Sequence, residues 1–111
     1  MTKTQLNTSQ RKALRSVAHH LDPVVTISDR GVNDGVVEET ERALADHELI
    51  KVKVVGEDRA ERALMANKLA EDTGAIIVQS IGKVAVFYRK NKQANPKLSN
   101  INRYIDPKSL P

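Results

Sequence analysis

Cysteine and tryptophan are absent from this 111-residue chain, and aromatic residues make up 3% of it. Without cysteine there is no disulfide framework and no thiolate metal site, and the chain suits a reducing compartment. Phe87, Tyr88 and Tyr104 are its only aromatics, too few for a platform on which successive unpaired bases stack. The apolar runs are a few residues long, and the opening MTKTQLNTSQRK lacks the apolar core of a signal peptide, so a cytoplasmic location is expected. No Walker-type glycine loop and no H-x-x-x-H spacing occurs. His19 and His20, adjacent on a helix, point about 100° apart. Neither catalysis nor a metal or small-molecule cofactor is expected.

What the chain does have is segregated charge. Its formal net charge is +4. Residues 1–21 hold Lys3, Arg11, Lys12 and Arg15 and no acid, whereas residues 22–90 carry ten bases against thirteen acids. Residues 91–111 return to basic, with Lys92, Lys97, Arg103 and Lys108 against Asp106. Basic ends around a mildly acidic middle suit a polyanion binder, because clustered Lys and Arg displace condensed counterions while acids elsewhere maintain solubility.

Hydrophobic spacing gives the order of elements. Leu14, Val17, Ala18 and Leu21 recur at helical intervals behind an Asn7/Gln10 capping pair, predicting a helix over 7–21 that ends at Asp22-Pro23. Val24–Ile27 reads as a short strand. A helix from about Asn33 or Asp34 to His47 follows, with Val36, Thr40, Ala43, Leu44 and His47 inward and Glu38, Glu41, Arg42, Ala45 and Glu48 outward. LIKVKVV, residues 49–55, alternates as a strand whose Lys51 and Lys53 mark a wet face. Asp58 and Glu61 then suggest a capping box for a third helix ending near Thr73-Gly74. Its periodicity is blurred, and Leu64 has no evident place. AIIVQSIGKVAVFYRK reads as two strands turning at Gly82-Lys83. The expected fold is α/β (α+β), in the order α-β-α-β-α-β-β, with a mixed four-stranded sheet covered on both faces.

The stretch VVTISDRGVNDGVVEE, with an arginine at the tip of its turn, together with DHELIKVKV, EDTGA and QSIGKVAVFYR, resembles the CRM domain over roughly residues 6–90. This is the RNA-binding module of plant organelle splicing factors and of bacterial YhbY proteins. The resemblance implies a fold similar to the C-terminal domain of translation initiation factor three, and association with precursors of the large ribosomal subunit. It implies a Gly-x-x-Gly loop between the first strand and the second helix. Here that loop is Ser28-Asp29-Arg30-Gly31, with serine in the place of the first glycine. Residues 1–90 are then the CRM-like domain. Residues 91–111 are a basic, Asn/Pro-rich tail, expected either to be disordered or to lay a short apolar turn against the body.

Candidate RNA-contacting residues are Arg11, Lys12 and Arg15 on the first helix, Ser28, Asp29, Arg30 and Gly31 in the loop, Lys83 in the hairpin turn, and Arg89 and Lys90 after the last strand. Lys51 and Lys53 are better explained as the wet side of a strand. The expected function is non-enzymatic binding of ribosomal RNA in large-subunit precursors, in aid of assembly. Ribosomal proteins are the other candidate partners, and no membrane or small-molecule substrate is implied. The competing reading is an adaptor whose acidic second helix docks a basic protein.

Overall fold

The structure, a computed structural model, describes residues 6–101 and Leu110. Its order is α1 (Thr8–Ala18), β1 (Pro23–Ile27), α2 (Asp34–His47), β2 (Leu49–Val54), α3 (Arg59–Thr73), β3 (Ile76–Ile81) and β4 (Val84–Tyr88). Each helix start has a side chain that satisfies an otherwise orphaned N–H group. Asn7 and Gln10 form the reciprocal box expected for α1, and Asn33 Oδ1 accepts from Val36 N at 2.9 Å in α2. At α3, Asp58 accepts from Ala60 N at 2.8 Å, in place of an exchange with Glu61. Gly74, at φ +69°, takes the left-handed conformation that ends α3.

The four strands form one sheet in the order β1-β2-β4-β3. β1 and β2 run parallel, while β4 lies antiparallel to both β2 and β3. The register defines two ends. Ile27, Val54, Val84 and Ile81 align at one, and Leu49, Tyr88 and Ile76 at the other. The first, or loop end, carries the 28–33 connection, the start of α3 and the Gly82 turn. The second, or latch end, carries the end of α2 and the exit of β4.

Both faces are covered, because successive strand residues point to opposite sides. On one face Val25, Ile27, Ile50, Val52, Ala85 and Phe87 pack against α2 and α3. On the other, Leu49, Val78, Val86 and Tyr88 pack against Leu14, Val17 and Ala18 of α1 and against Ile101. Phe87 and Tyr88 point to opposite sides, and both are buried. A buried side chain of this size contributes on the order of 2–3 kcal/mol. The blurred periodicity of α3 has a simple cause: its buried face is built on small residues, Ala66 and Ala70 beside Leu69, while Leu64 is 70% exposed.

Residues 91–101 take the packed alternative. Asn91 and Asn95 each fold their side chain onto the backbone two residues ahead, accepting from Gln93 N and Lys97 N, which makes the asparagine-rich stretch a series of turns. Asn100 donates through its backbone N–H to His47 O at 2.9 Å and through Nδ2 to Leu49 O at 2.7 Å. His47 Nδ1 donates to Leu98 O at 2.8 Å. Tyr104 and Ile105, the other apolar residues read in this segment, lie outside the described residues, as do Lys3, Arg103, Asp106 and Lys108.

Glu48 corrects the sequence reading. Helical spacing puts it on the acidic outer face of α2, but its backbone turns to φ +62° just past the helix, and the residue is 3% exposed. Its carboxylate accepts from Asn91 N and from Ser99 Oγ, both at 2.8 Å. A non-glycine residue at positive φ costs on the order of 1–2 kcal/mol, and these bonds hold it there. Burial, and secondarily the Glu48 charge, push the neighbouring Tyr88 hydroxyl up to a pKa of about 12.

Candidate nucleic-acid interface

The loop after β1 is a closed turn. Gly31 N donates to Ser28 O at 2.9 Å, and Arg30 N donates to Ser28 Oγ at 3.3 Å. Gly31 sits at φ +78° with open space where a Cβ would stand, so glycine is needed there for conformation and not for room. Ser28 has no such need. Among the described non-glycine residues only Glu48 has positive φ, so serine fits this corner without strain and its hydroxyl braces the turn. Because the Arg30 and Gly31 N–H groups are used inside the turn, the loop offers a phosphate chiefly the Arg30 guanidinium. That side chain is exposed and has no partner among the described residues. Asp29, also exposed, opposes an anion at the same turn.

The other candidates divide by what they touch. Arg11 turns its guanidinium onto β3, where Nη1 donates to Ile77 O at 3.2 Å and also to Val78 O. The register of β3 against β4 shifts at this point, and Arg11 occupies carbonyls that the irregular ladder leaves over. Lys12 and Arg15 remain exposed on α1. Arg89 is a staple: Nη1 donates to Glu41 Oε2 and to Thr73 O, each at 2.7 Å, joining α2, the end of α3 and the exit of β4. Lys90 Nζ donates to Leu110 O at 3.2 Å.

Arg89 and Lys90 therefore stand at the latch end and are not brought to the Ser28–Gly31 loop. The candidates after the last strand and those in the loop lie at opposite ends of the sheet and form no common strip. The acidic face of α2 is thinned too, since Glu41 pairs with Arg89 and Glu48 is buried.

The loop end gathers Lys83, already a candidate, with Lys53, which the sequence reading set aside, and Arg59, which it passed over. Lys53 lies opposite Thr26 on β1 and Val84 on β4, on the sheet face that α1 half covers. Lys83 makes one exposed ion pair with Glu57, at 3.4 Å. Arg59 opens α3 and is exposed. The signal was topological: two parallel strands bring the segment after β2 beside the segment after β1, which is where open α/β sheets gather ligands. At a strand spacing of about 4.8 Å, Arg30 and the Lys83 turn are two to three strands apart, roughly 10–14 Å.

Among the described residues no aromatic ring is exposed apart from the His19–His20 pair. No helix among them is long and apolar enough to cross a membrane.

Known proteins agree with this architecture. The CRS1 / YhbY (CRM) domain model matches residues 6–89. The chain is 46% identical over 99 residues to the probable RNA-binding protein PA4753 of Pseudomonas aeruginosa, covering 89% of this chain and 95% of that one. It is 45% identical over 95 residues to an RNA-binding protein of Haemophilus influenzae, covering 86% and 96% respectively. The solution structure of SAV1595, a hypothetical protein from Staphylococcus aureus, superposes with a TM-score of 0.71 at 34% identity, over 82% of this chain and 95% of that one. With the fold, a family model that matches most of the chain and these relatives in agreement, the chain belongs to the CRS1/YhbY (CRM) domain family.

Proposed function

We propose that this protein is a non-enzymatic RNA-binding protein that engages ribosomal RNA in precursors of the large ribosomal subunit and assists their assembly in the cytoplasm. One observation carries the siting of the interface: Arg30, exposed at the tip of a braced turn, heads a sheet end where Lys83 is weakly paired, whereas Arg89 and Lys90 at the latch end are bonded internally. The interface comprises the Ser28–Gly31 turn, Lys53 and Lys83, flanked by Lys12 and Arg15 of α1. RNA binding itself is supported by family membership and by the relatives' names. The ribosomal target follows from the family resemblance.

Phe87 and Tyr88 are both buried, so recognition rests on phosphates, 2′-hydroxyls and shape, which suits a structured RNA. Reversing three phosphate-contacting charges, Lys12→Glu, Arg15→Glu and Arg30→Glu, should lower the log–log salt slope by roughly two for single strands and nearer three for duplex. Sedimentation of cell extract at low and moderate salt tests the target. Co-migration with large-subunit precursors, lost on raising salt, is expected; migration only as free protein at low salt would overturn the ribosomal assignment.

A further inference from the structure

At the loop end, on the α3 side, a groove of about 540 Å³ runs between the first turns of α3 and the β3–β4 hairpin. It lies within the ~300–1,000 Å³ range of small-ligand clefts. Every charged side chain lining it is cationic: Arg59, Arg62 and Lys83. Between them lie small side chains, Ala63 on the helix side and Ser80 and Ala85 on the sheet side, while the register that sets Ile81 opposite Val84 turns that isoleucine toward the α1 face. Arg62 is held by Nη1 to Gly56 O at 2.8 Å, while its Nε is buried without a hydrogen-bond partner, a donor that an arriving acceptor would satisfy. The nearby acids do not line the groove. Asp58 is occupied in capping α3, and Glu57 is an exposed partner of Lys83, so displacing it from that weak pair is cheap.

Resting on the RNA-binding reading above, we infer that this groove receives one unpaired nucleotide projecting from a structured RNA, with its phosphate on Arg59 and Lys83 and its base between Ala63 and Ser80. Cationic rims around a slot of small side chains, with the Ser80 hydroxyl available to the base, match the two halves of a nucleotide. The loop, roughly 10–14 Å away across the strand ends, meanwhile holds the backbone of the paired segment. An acidic, apolar peptide would suit the same walls less well, because the groove continues the end of the sheet that carries Arg30.

The test is amide and methyl NMR of the full chain, titrated with two RNA hairpins that differ by a single bulged nucleotide. Ser28–Gly31 signals are expected to shift with both hairpins, and Ala63, Ser80 and Gly82 signals with the bulged one alone. Ala63→Gln, at an exposed helix position, fills the groove without changing charge; it should weaken binding of the bulged hairpin roughly five-fold and leave the paired one unchanged. Loop shifts with a silent groove, or groove shifts of equal size with both hairpins, would overturn the nucleotide site while leaving RNA binding intact. No shift with either RNA would overturn both.

Discussion

At the latch end of the sheet, Arg89 gives its guanidinium to Glu41 and to the Thr73 carbonyl, and the Glu48 carboxylate closes on Asn91 and Ser99. At the loop end, Arg30 has no partner among the described residues, and Lys83 has one exposed contact with Glu57. Both ends are rich in charge, yet Arg89 at one is bonded inside the fold and Arg30 at the other is available. A charged side chain marks a binding surface when its bonding capacity is unspent, and the number of charges in a segment does not reveal that.

The sharpest way to break this contrast is at Glu48. Glu48→Ala removes the acceptor of two buried bonds, and it should cost about 3 kcal/mol in a urea melt. RNA affinity, measured at a temperature where the variant stays folded, should not change. A stability within about 0.5 kcal/mol of the parent would mean that the 91–101 segment is not held by this carboxylate.

Tyr88 gives the latch a pH signature. Its hydroxyl keeps its proton up to about 12 in the folded chain, against an ordinary value of 10.0. Below pH ~10 neither state ionises and its contribution is constant; between ~10 and ~12 the unfolded chain releases the proton first, so stability falls as pH rises. The loss should reach about 2–3 kcal/mol by pH ~12 and be missing from Tyr88→Phe, when the two proteins are melted in parallel. Identical pH profiles would remove the buried, Glu48-facing environment assigned to this hydroxyl.

Arg89→Met should cost about 1–2 kcal/mol, mostly from the orphaned Thr73 carbonyl, since Glu41 is partly exposed and its ion pair is correspondingly weak. The smallest effect is at the loop. Ser28→Gly removes only the 3.3 Å brace to Arg30 N and should change stability by less than about 0.5 kcal/mol, while nuclear relaxation reports a more mobile turn.

Most of the fold was legible because its determinants are local. The alternation of Leu49–Val54, the Asn7/Gln10 pair and the Gly82 turn each act within a few residues. What was not legible depends on tertiary partners. Strand alternation assigns Arg89 a face but not the carbonyl and carboxylate that meet it there. The helical wheel places Glu48 outside, because a wheel cannot anticipate a single residue at positive φ. Leu64 looked like an unplaced core residue and is instead exposed, since the α3 interface is closed by alanines. The loop was found through family resemblance. Its alignment with Lys53, Arg59 and Lys83 required the strand register.

The most direct test sets the two ends against each other: the salt dependence of binding to a large-subunit ribosomal RNA transcript, for Arg30→Ala and Arg89→Met, at a temperature where both are folded. If the loop end meets RNA and the latch end only holds the fold together, Arg30→Ala lowers the log–log slope by roughly 0.7–0.9 with stability unchanged, and Arg89→Met leaves the slope unaltered. A slope reduced by Arg89→Met and untouched by Arg30→Ala would contradict the account.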